Sequence, residues 1–260
     1  SKLSISGSGR ITSSAESTIQ TTGGSITFDS AIANNTYGYD SEGYGRGKAI
    51  FARNTTVTIN NGEILSENNI AIEIQNCNTT VNGGKIMGDY RGINKVEGNT
   101  LTINGGEIYA ENSAYKANKS KLGSAAVYTG TNDTNGNINI TGKNNTILAS
   151  TGSNSETNGI TLQGPNSTLT LGVNDSTYDD SKITIVGDTM AIYRRYESIK
   201  LNWYDGYIAV SNFGAGYSTN LLNITTNLTL PPKYYIGNLN GKRTSINGTS
   251  LYLYGSGLKY

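Results

Sequence analysis

Three similar segments decide the architecture: TVTINNGEI at residues 56–64, TTVNGGKI at 79–86 and TLTINGGEI at 100–108. The asparagine after the first apolar alternation recurs at residues 60, 82 and 104, so the repeat has a period of 22 residues. A period this short is typical of a solenoid, in which each repeat forms one coil. We therefore expect one elongated body rather than two compact globules.

The residues inside each segment predict strands and corners. Val57-Thr58-Ile59 alternates apolar and polar side chains, which is the β-strand pattern, and the glycines that follow favour a sharp turn before a second strand at Ile64. Comparable first strands occur at residues 26–28, 138–140, 169–171 and 201–203. A small residue followed by a branched one marks a further element, at Ala49-Ile50, Ala71-Ile72, Gly92-Ile93, Ala126-Val127, Gly159-Ile160 and Ala191-Ile192. These markers predict an all-β solenoid of about seven coils.

Stacked coils place equivalent residues above one another, because neighbouring parallel strands lie about 4.8 Å apart. We expect aliphatic columns inside, a ladder of asparagine amides at one corner and a column of alternating charge outside. The predicted columns are Ile59/Val81/Ile103, Ile64/Ile86/Ile108, Asn60/Asn82/Asn104 and Glu63/Lys85/Glu107.

The spacing between markers locates the insertions. The first strand and the small-branched pair are 13 residues apart between Ile59 and Ile72, but 24 between Ile103 and Val127 and 21 between Leu171 and Ile192. We expect this growth on one flank of the solenoid. Such loops either carry the function or vary freely on an unconstrained edge.

Composition excludes several classes of function. Histidine is absent and Cys77 is the only cysteine, which removes Ser-His-Asp and Cys-His catalysis, His-ligated metals and intrachain disulfides. The net charge of +1 gives no electrostatic reason to bind nucleic acid or an anionic membrane. We expect no cofactor and no bound metal.

The apolar runs, the N-terminal residues and the composition of the chain indicate where the protein is located. No apolar run approaches the roughly 20 residues that span a bilayer, so we expect no direct membrane insertion. Ser1 is not followed by the basic and apolar stretches of a signal peptide, and we expect a mature chain or an excised fragment. The polar, weakly charged surface favours an extracellular or cell-surface setting, as part of a longer surface protein.

The repeats and the small-branched pairs resemble the right-handed parallel β-helix of the pectate-lyase-like superfamily. The resemblance covers about residues 23–210 and is closest to the Asn/Thr/Gly-rich bacterial cell-surface and adhesin-like kind. It implies a right-handed parallel β-helix over residues 1–210 with an N-terminal cap. Tyr37, Tyr39 and Tyr44 are close together in the sequence, and we expect them to lie in the first turn and to contribute to that cap. Residues 211–260 then form C-terminal capping strands or the start of a linker.

Enzymes of that superfamily suggest acidic and basic candidates. Asp179-Asp180 and Ser198-Ile199-Lys200 only faintly echo the polygalacturonase motifs, which need a histidine that this chain lacks. Pectate lyases need clustered acids for Ca²⁺ and a basic arginine, for which Asp179, Asp180 and Arg194 are the local candidates. Glu73 and Asp89 form a second possible carboxylate pair on adjacent coils.

Aromatic residues concentrate near the last coils, where they either stack on sugar rings or cover an open solenoid end. We predict a non-enzymatic module, a rigid adhesive or spacer domain that binds glycan or a host or cell-surface protein. The alternatives are a polysaccharide lyase or glycoside hydrolase, and a phage or fibre protein that trimerises. The candidate ligand contacts are Asp179, Asp180, Tyr193, Arg194, Tyr196, Trp203, Tyr204 and Tyr207.

Overall fold

Stacked β-strands form almost all of the regular structure. The computed structural model describes residues 1–38, 46–111, 124–151, 157–175, 178–210, 222, 226–230, 233–238 and 243–247, the last two ranges by their backbone. Each of the first seven coils contributes one strand to each of three sheets, which we name A, B and C in the order in which the chain meets them. The protein is a right-handed parallel β-helix, as the sequence predicts.

The strands are numbered in chain order. Sheet A contains β1 (Lys2–Ser6), β4 (Ser25–Asp29), β7 (Thr56–Ile59), β10 (Asn78–Val81), β13 (Thr100–Ile103), β16 (Asn137–Ile140), β19 (Thr168–Leu171), β22 (Lys200–Trp203) and β24 (Leu228–Thr229). Sheet B contains β2 (Arg10–Ser13), β5 (Ile32–Asn35), β8 (Glu63–Ser66), β11 (Lys85–Gly88), β14 (Gly106–Ala110), β17 (Thr146–Ser150), β20 (Ile183–Gly187), β23 (Tyr207–Val210), β25 (Lys233–Asn238) and β26 (Arg243–Asn247). Sheet C contains β3 (Ser17–Thr22), β6 (Lys48–Arg53), β9 (Ile70–Gln75), β12 (Arg91–Glu97), β15 (Ser124–Thr129), β18 (Thr157–Leu162) and β21 (Met190–Arg194).

Like side chains stack inside the coils. In sheet A, Val81 is in register with Ile59 on one side and Ile103 on the other, and all three are fully buried. In sheet B, Ile86 lies between Ile64 and Ile108 in the same way. The small-branched pairs align along sheet C, where the branched residues form the column Ile50, Ile72, Ile93, Val127, Ile160 and Ile192. Both predicted aliphatic columns are therefore confirmed.

Asparagine side chains and backbones shape two of the three corners. At the A/B corner, Asn82 Nδ2 donates to Asn60 Oδ1 at 2.9 Å and Asn104 Nδ2 donates to Asn82 Oδ1 at 2.8 Å, which confirms the amide ladder. At the C/A corner, asparagine adopts a positive φ angle in most coils, because its short polar side chain tolerates the left-handed region. These residues are Asn54, Asn76, Asn99, Asn135, Asn166 and Asn227.

The first coil begins earlier than the resemblance implies. Strands β1 to β3 form a coil that pairs with the next one, so Tyr37, which follows β5, lies in the second coil. The expectation that Tyr37 belongs to the first turn is wrong, and Tyr39 and Tyr44 lie outside the described residues. The first coil was missed because Leu3 and Ile11 are exposed there and give little apolar pattern.

The insertions do not share one flank. In the fifth coil the extra residues separate β14 from β15 at the B/C corner, but in the seventh they separate β19 from β20 at the A/B corner. The prediction of one flank is therefore wrong for the seventh coil. Spacing from the first strand to the small-branched pair spans two corners, and it cannot say which of them holds the insertion.

The ladders continue beyond residue 210. Strand β24 pairs in parallel with β22, and β25 pairs in parallel with β23. Strand β26 then runs antiparallel to β25 and reverses the direction of sheet B. The division of the chain at residue 210 stays a prediction.

Candidate functional site

The predicted contact residues occupy different sides of the β-helix. Asp179, Asp180 and Tyr204 lie at the A/B corner, whereas Arg194 ends a strand at the C/A corner. Because the acids and this arginine lie at different corners, no groove joins them. The arrangement that would favour a lyase or hydrolase at these residues is not formed.

The acids at the A/B corner cap backbone groups. Asp205 accepts hydrogen bonds from the backbone N–H groups of Val173 (3.0 Å) and Asp179 (2.8 Å). Asp179 Oδ1 accepts from both the N–H and the hydroxyl of Ser181, and these bonds hold the pKa of Asp179 below its ordinary value. An open pocket of about 670 Å³ lies here, with Lys182 on its rim. These carboxylates stabilise a turn, as charged acceptors of N–H groups usually do.

Arg194 fastens the C/A corner from inside. It is 5% exposed, and its Nη1 donates to the backbone carbonyls of Glu197 (3.0 Å), Ile199 (3.2 Å) and Thr226 (3.1 Å). A guanidinium engaged by so many carbonyls positions the chain and is not offered to a ligand. Tyr196, near the same corner, is exposed and lies beside Arg195.

Trp203 and Tyr207 are packing residues. Trp203 is fully buried, continues the inner column of sheet A above Leu171, and donates its indole N–H to the Gly206 carbonyl at 3.3 Å. Tyr207 lies on the outer side of sheet B, buried with Val186 and Ala209. Neither ring offers a free face for a sugar.

Tyr193 lies on a feature that the sequence reading missed. It ends a column of six registered residues on the outer side of sheet C, one from each of six successive coils. Phe51, Glu73 and Tyr193 in this column are half-buried, and the three residues between Glu73 and Tyr193 are buried. We call this column the C strip, and its members are Phe51, Glu73, Asn94, Tyr128, Thr161 and Tyr193.

The middle of the C strip holds a stacked arginine. The Arg91 guanidinium lies 3.3 Å from the ring centroid of Tyr128 and 4.3 Å from that of Tyr90. Its Nη1 donates to Asn94 Oδ1 at 3.1 Å, and Asn94 Nδ2 donates to Glu73 Oε2 at 3.0 Å. Cation–π contacts and charge-assisted hydrogen bonds of this kind fix the side chains in one arrangement.

The first end of the C strip combines a ring with cations. Phe51 is half-buried, with Lys48 Nζ 6.0 Å and the Arg53 guanidinium 5.8 Å from its ring centroid. Arg53 also binds Gln75, whose amide lies 3.4 Å from Glu73 Oε1. An aromatic face beside donors and a carboxylate can stack on a sugar ring and hydrogen-bond its hydroxyls.

The proposed pair of Glu73 and Asp89 is divided between two surfaces. Glu73 belongs to the C strip and is its only acidic member. Asp89 is buried at the B/C corner, where it lines a pocket of about 300 Å³ with Glu67 and Glu111. Glycosidases need two carboxylates facing one bond, and the C strip supplies one.

Two other kinds of feature are absent from the described residues. They contain no group of three or more histidine, cysteine, aspartate or glutamate side chains placed to hold a metal ion. In that same part of the chain, no helix has the length and apolar character that crossing a membrane requires.

Comparison with known proteins adds no relative. No family model, curated protein or solved structure matches this chain.

A usable signal for the C strip exists in the sequence. Each small-branched pair is followed by one more residue, and these six residues are the C strip. Read as a column, they are aromatic or hydrogen-bonding throughout. The pairs themselves mark the coils, and the residue that follows each pair marks the C strip.

Proposed function

We propose that this protein is a cell-surface β-helix module, a rigid adhesive or spacer domain that binds glycan along the C strip. The observation that carries the proposal is the strip itself. The Phe51 and Tyr193 rings and the Glu73 carboxylate remain half-buried on one face, and five steps of about 4.8 Å separate the two rings, which suits a chain of sugar rings. The buried Asn94, Tyr128 and Thr161 lie between Glu73 and Tyr193 and keep the strip in register. An extracellular location within a longer surface protein, of the pectate-lyase-like and adhesin-like kind, is part of this proposal.

The rigid scaffold supports the same proposal. The three sheets enclose one continuous core of buried apolar side chains. Adjacent coils therefore cannot move independently without separating core residues that are in register. A ligand that spans several coils therefore meets groups that are already positioned. Preorganisation of this kind lowers the entropic cost of binding.

Binding to a glycan array, followed by titration of any glycan captured, tests the proposal. We expect Phe51→Ala and Tyr193→Ala each to weaken binding about tenfold, since a stacked ring contributes about 1.4 kcal/mol. Tyr204→Ala is the matched control, because Tyr204 is a half-buried tyrosine at the A/B corner, and it should bind as the unchanged protein does.

The binding and cleavage results together distinguish a glycan-binding module from an enzyme and from a protein that binds no glycan. Failure to bind any glycan, or binding that neither ring substitution weakens, contradicts the proposal. A parallel polysaccharide-depolymerisation assay distinguishes binding from turnover. Cleavage that Glu73→Gln abolishes would replace the binding module with an enzyme.

A further inference from the structure

One lysine side chain points into the packed interior of the solenoid. Lys95 is on β12, in register with the buried Ile74 and Thr129, and is only 1% exposed. Its Nζ contacts Oδ1 of Asp133, which is completely buried in the connection between β15 and β16. Removing two charges from water is costly, and a buried ion pair seldom repays that cost in full.

Burial favours the uncharged forms of both groups. It lowers the pKa of the Lys95 amine and raises the pKa of the Asp133 carboxyl, although the hydrogen bond and attraction between them oppose both shifts. The negative charge of Glu97 raises the pKa of Asp133 further. A neutral amine is the nucleophilic form of lysine, and a neutral carboxyl is the form that can lose water.

The polar groups of the pair are incompletely satisfied. Asp133 Oδ2 is buried and has no hydrogen-bond partner in the described part of the chain. An amide between the two side chains would keep one oxygen and one N–H, where an ion pair keeps two oxygens and three N–H donors. Fewer polar atoms would then remain buried without partners, which favours the amide.

The backbone holds both partners in place. Strand β12 is paired on both sides, by β9 and β15. The Asp133 N–H donates to the Gly130 carbonyl (3.1 Å), and the Asp133 carbonyl accepts from the Gly136 N–H (3.2 Å) and the Ser167 hydroxyl (2.9 Å). Two reactive groups fixed in contact react as one molecule, without the entropic cost of an encounter.

We propose that Lys95 and Asp133 condense to an intramolecular isopeptide bond. The amine nitrogen attacks Asp133 Cγ, a Cγ–N bond forms and one Cγ–O bond breaks. The oxygen leaves as water, carrying the hydrogen of the carboxyl and one hydrogen of the amine, so nothing is oxidised or reduced. The bond would join the fourth coil to the connection that follows the fifth, and it does not depend on the proposed glycan binding.

Intact mass spectrometry of the purified, reduced and denatured full chain tests the inference. We expect the protein to be lighter than its sequence mass of 27.6 kDa by one water molecule. Trypsin should fail to cut after Lys95, and fragmentation should find one branched peptide that contains both Lys95 and Asp133.

Lys95→Arg is the matched control, because it keeps a cation but cannot form the amide, and it should show its full sequence mass. The unchanged protein at full sequence mass would overturn the inference. A lost water located within a single residue, or lost equally by Lys95→Arg, would overturn it as well. Each measurement is made on unfolded protein, so a poorly stable variant still gives an answer.

Discussion

At the scale of single residues, amides at the corners align the coils. Asn82 both donates to Asn60 and accepts from Asn104, so one side chain connects three successive coils. Amide ladders of this kind are known from stacked, in-register strands. Their stability comes from repetition, because each net hydrogen bond contributes only about 1 kcal/mol.

Replacing the central asparagine should reveal this contribution. Asn82→Ala removes two hydrogen bonds, and we expect it to lower the free energy of unfolding by about 1–2 kcal/mol, measured in urea. Asn61→Ala changes an exposed neighbour of the ladder and should alter stability by less than about 0.5 kcal/mol. Equal effects of the two substitutions would mean that the ladder is not stabilising.

Single residues also show where sequence reading succeeds. The period of Asn60, Asn82 and Asn104 predicted both their alignment and the columns of Ile59 and Ile64, because parallel stacking repeats the side chain at each level. Trp203 is a different case, because tryptophan suits both a core and a sugar site, and in the structure its ring is fully buried. Its position two residues after Leu201 matches the inward alternation of the other first strands and could have placed it correctly.

At the scale of the strand, six coils have a small residue near the start of the sheet C strand, next to the B/C corner. Gly92 occupies this position in β12, and a Cβ atom there would lie 2.5 Å from Ile108 Cγ2 and 2.6 Å from the Ala126 carbonyl oxygen. Other coils hold alanine at the same step, as at Ala71 and Ala126. The approach is equally close in the sixth coil, where a Cβ atom on Gly159 would lie 2.6 Å from the Ala191 carbonyl oxygen.

A methyl group at this step should disturb the packing of sheets B and C. We expect Gly92→Ala to lower the free energy of unfolding by about 1–3 kcal/mol, because the backbone carbonyl cannot move away as a flexible side chain would. Gly9→Ala is the control, since nothing lies within 4 Å of a Cβ atom there. A thermal melt followed by circular dichroism compares the two, and a shift of the same size in both would contradict the explanation.

Two features of the strands could not be predicted from the sequence pattern, namely the first coil and the inward-facing Lys95. The first coil was missed because β1 and β2 are mostly exposed, and exposure weakens the apolar alternation that identifies strands. Lys95 was missed because a lone polar residue in an apolar column resembles an outward position. Its buried partner Asp133 is in a connection of irregular length, for which the repeat gives no register.

At the scale of the whole molecule, the coils form a nearly one-dimensional stack. From the first coil to the seventh, each coil pairs with the next through all three sheets, and beyond the seventh the described strands continue in sheets A and B. Stability in such molecules is approximately a sum of single-coil and neighbour contributions. Removing one coil should therefore shorten the stack without changing its architecture.

Deleting residues 56–77 tests this additivity, because they span the whole third coil and β4 can then pair with β10 in the register that β7 held. We expect the shortened chain to keep its β-sheet circular dichroism spectrum and a cooperative melt. Deleting residues 56–66 alone removes two strands and leaves the third, which should abolish the melt. If the complete-coil deletion also fails to fold, the coils are not interchangeable units.

The reversal of direction at β26 restricts how such a molecule can lengthen during evolution. Where β26 pairs antiparallel to β25, sheet B does not present the edge that a further parallel coil would need. A 22-residue unit can therefore be duplicated in tandem only upstream of β25, where each new coil pairs with a parallel strand on both sides. Homologous proteins of different length should accordingly differ in the number of their central repeats and keep the hairpin of β25 and β26.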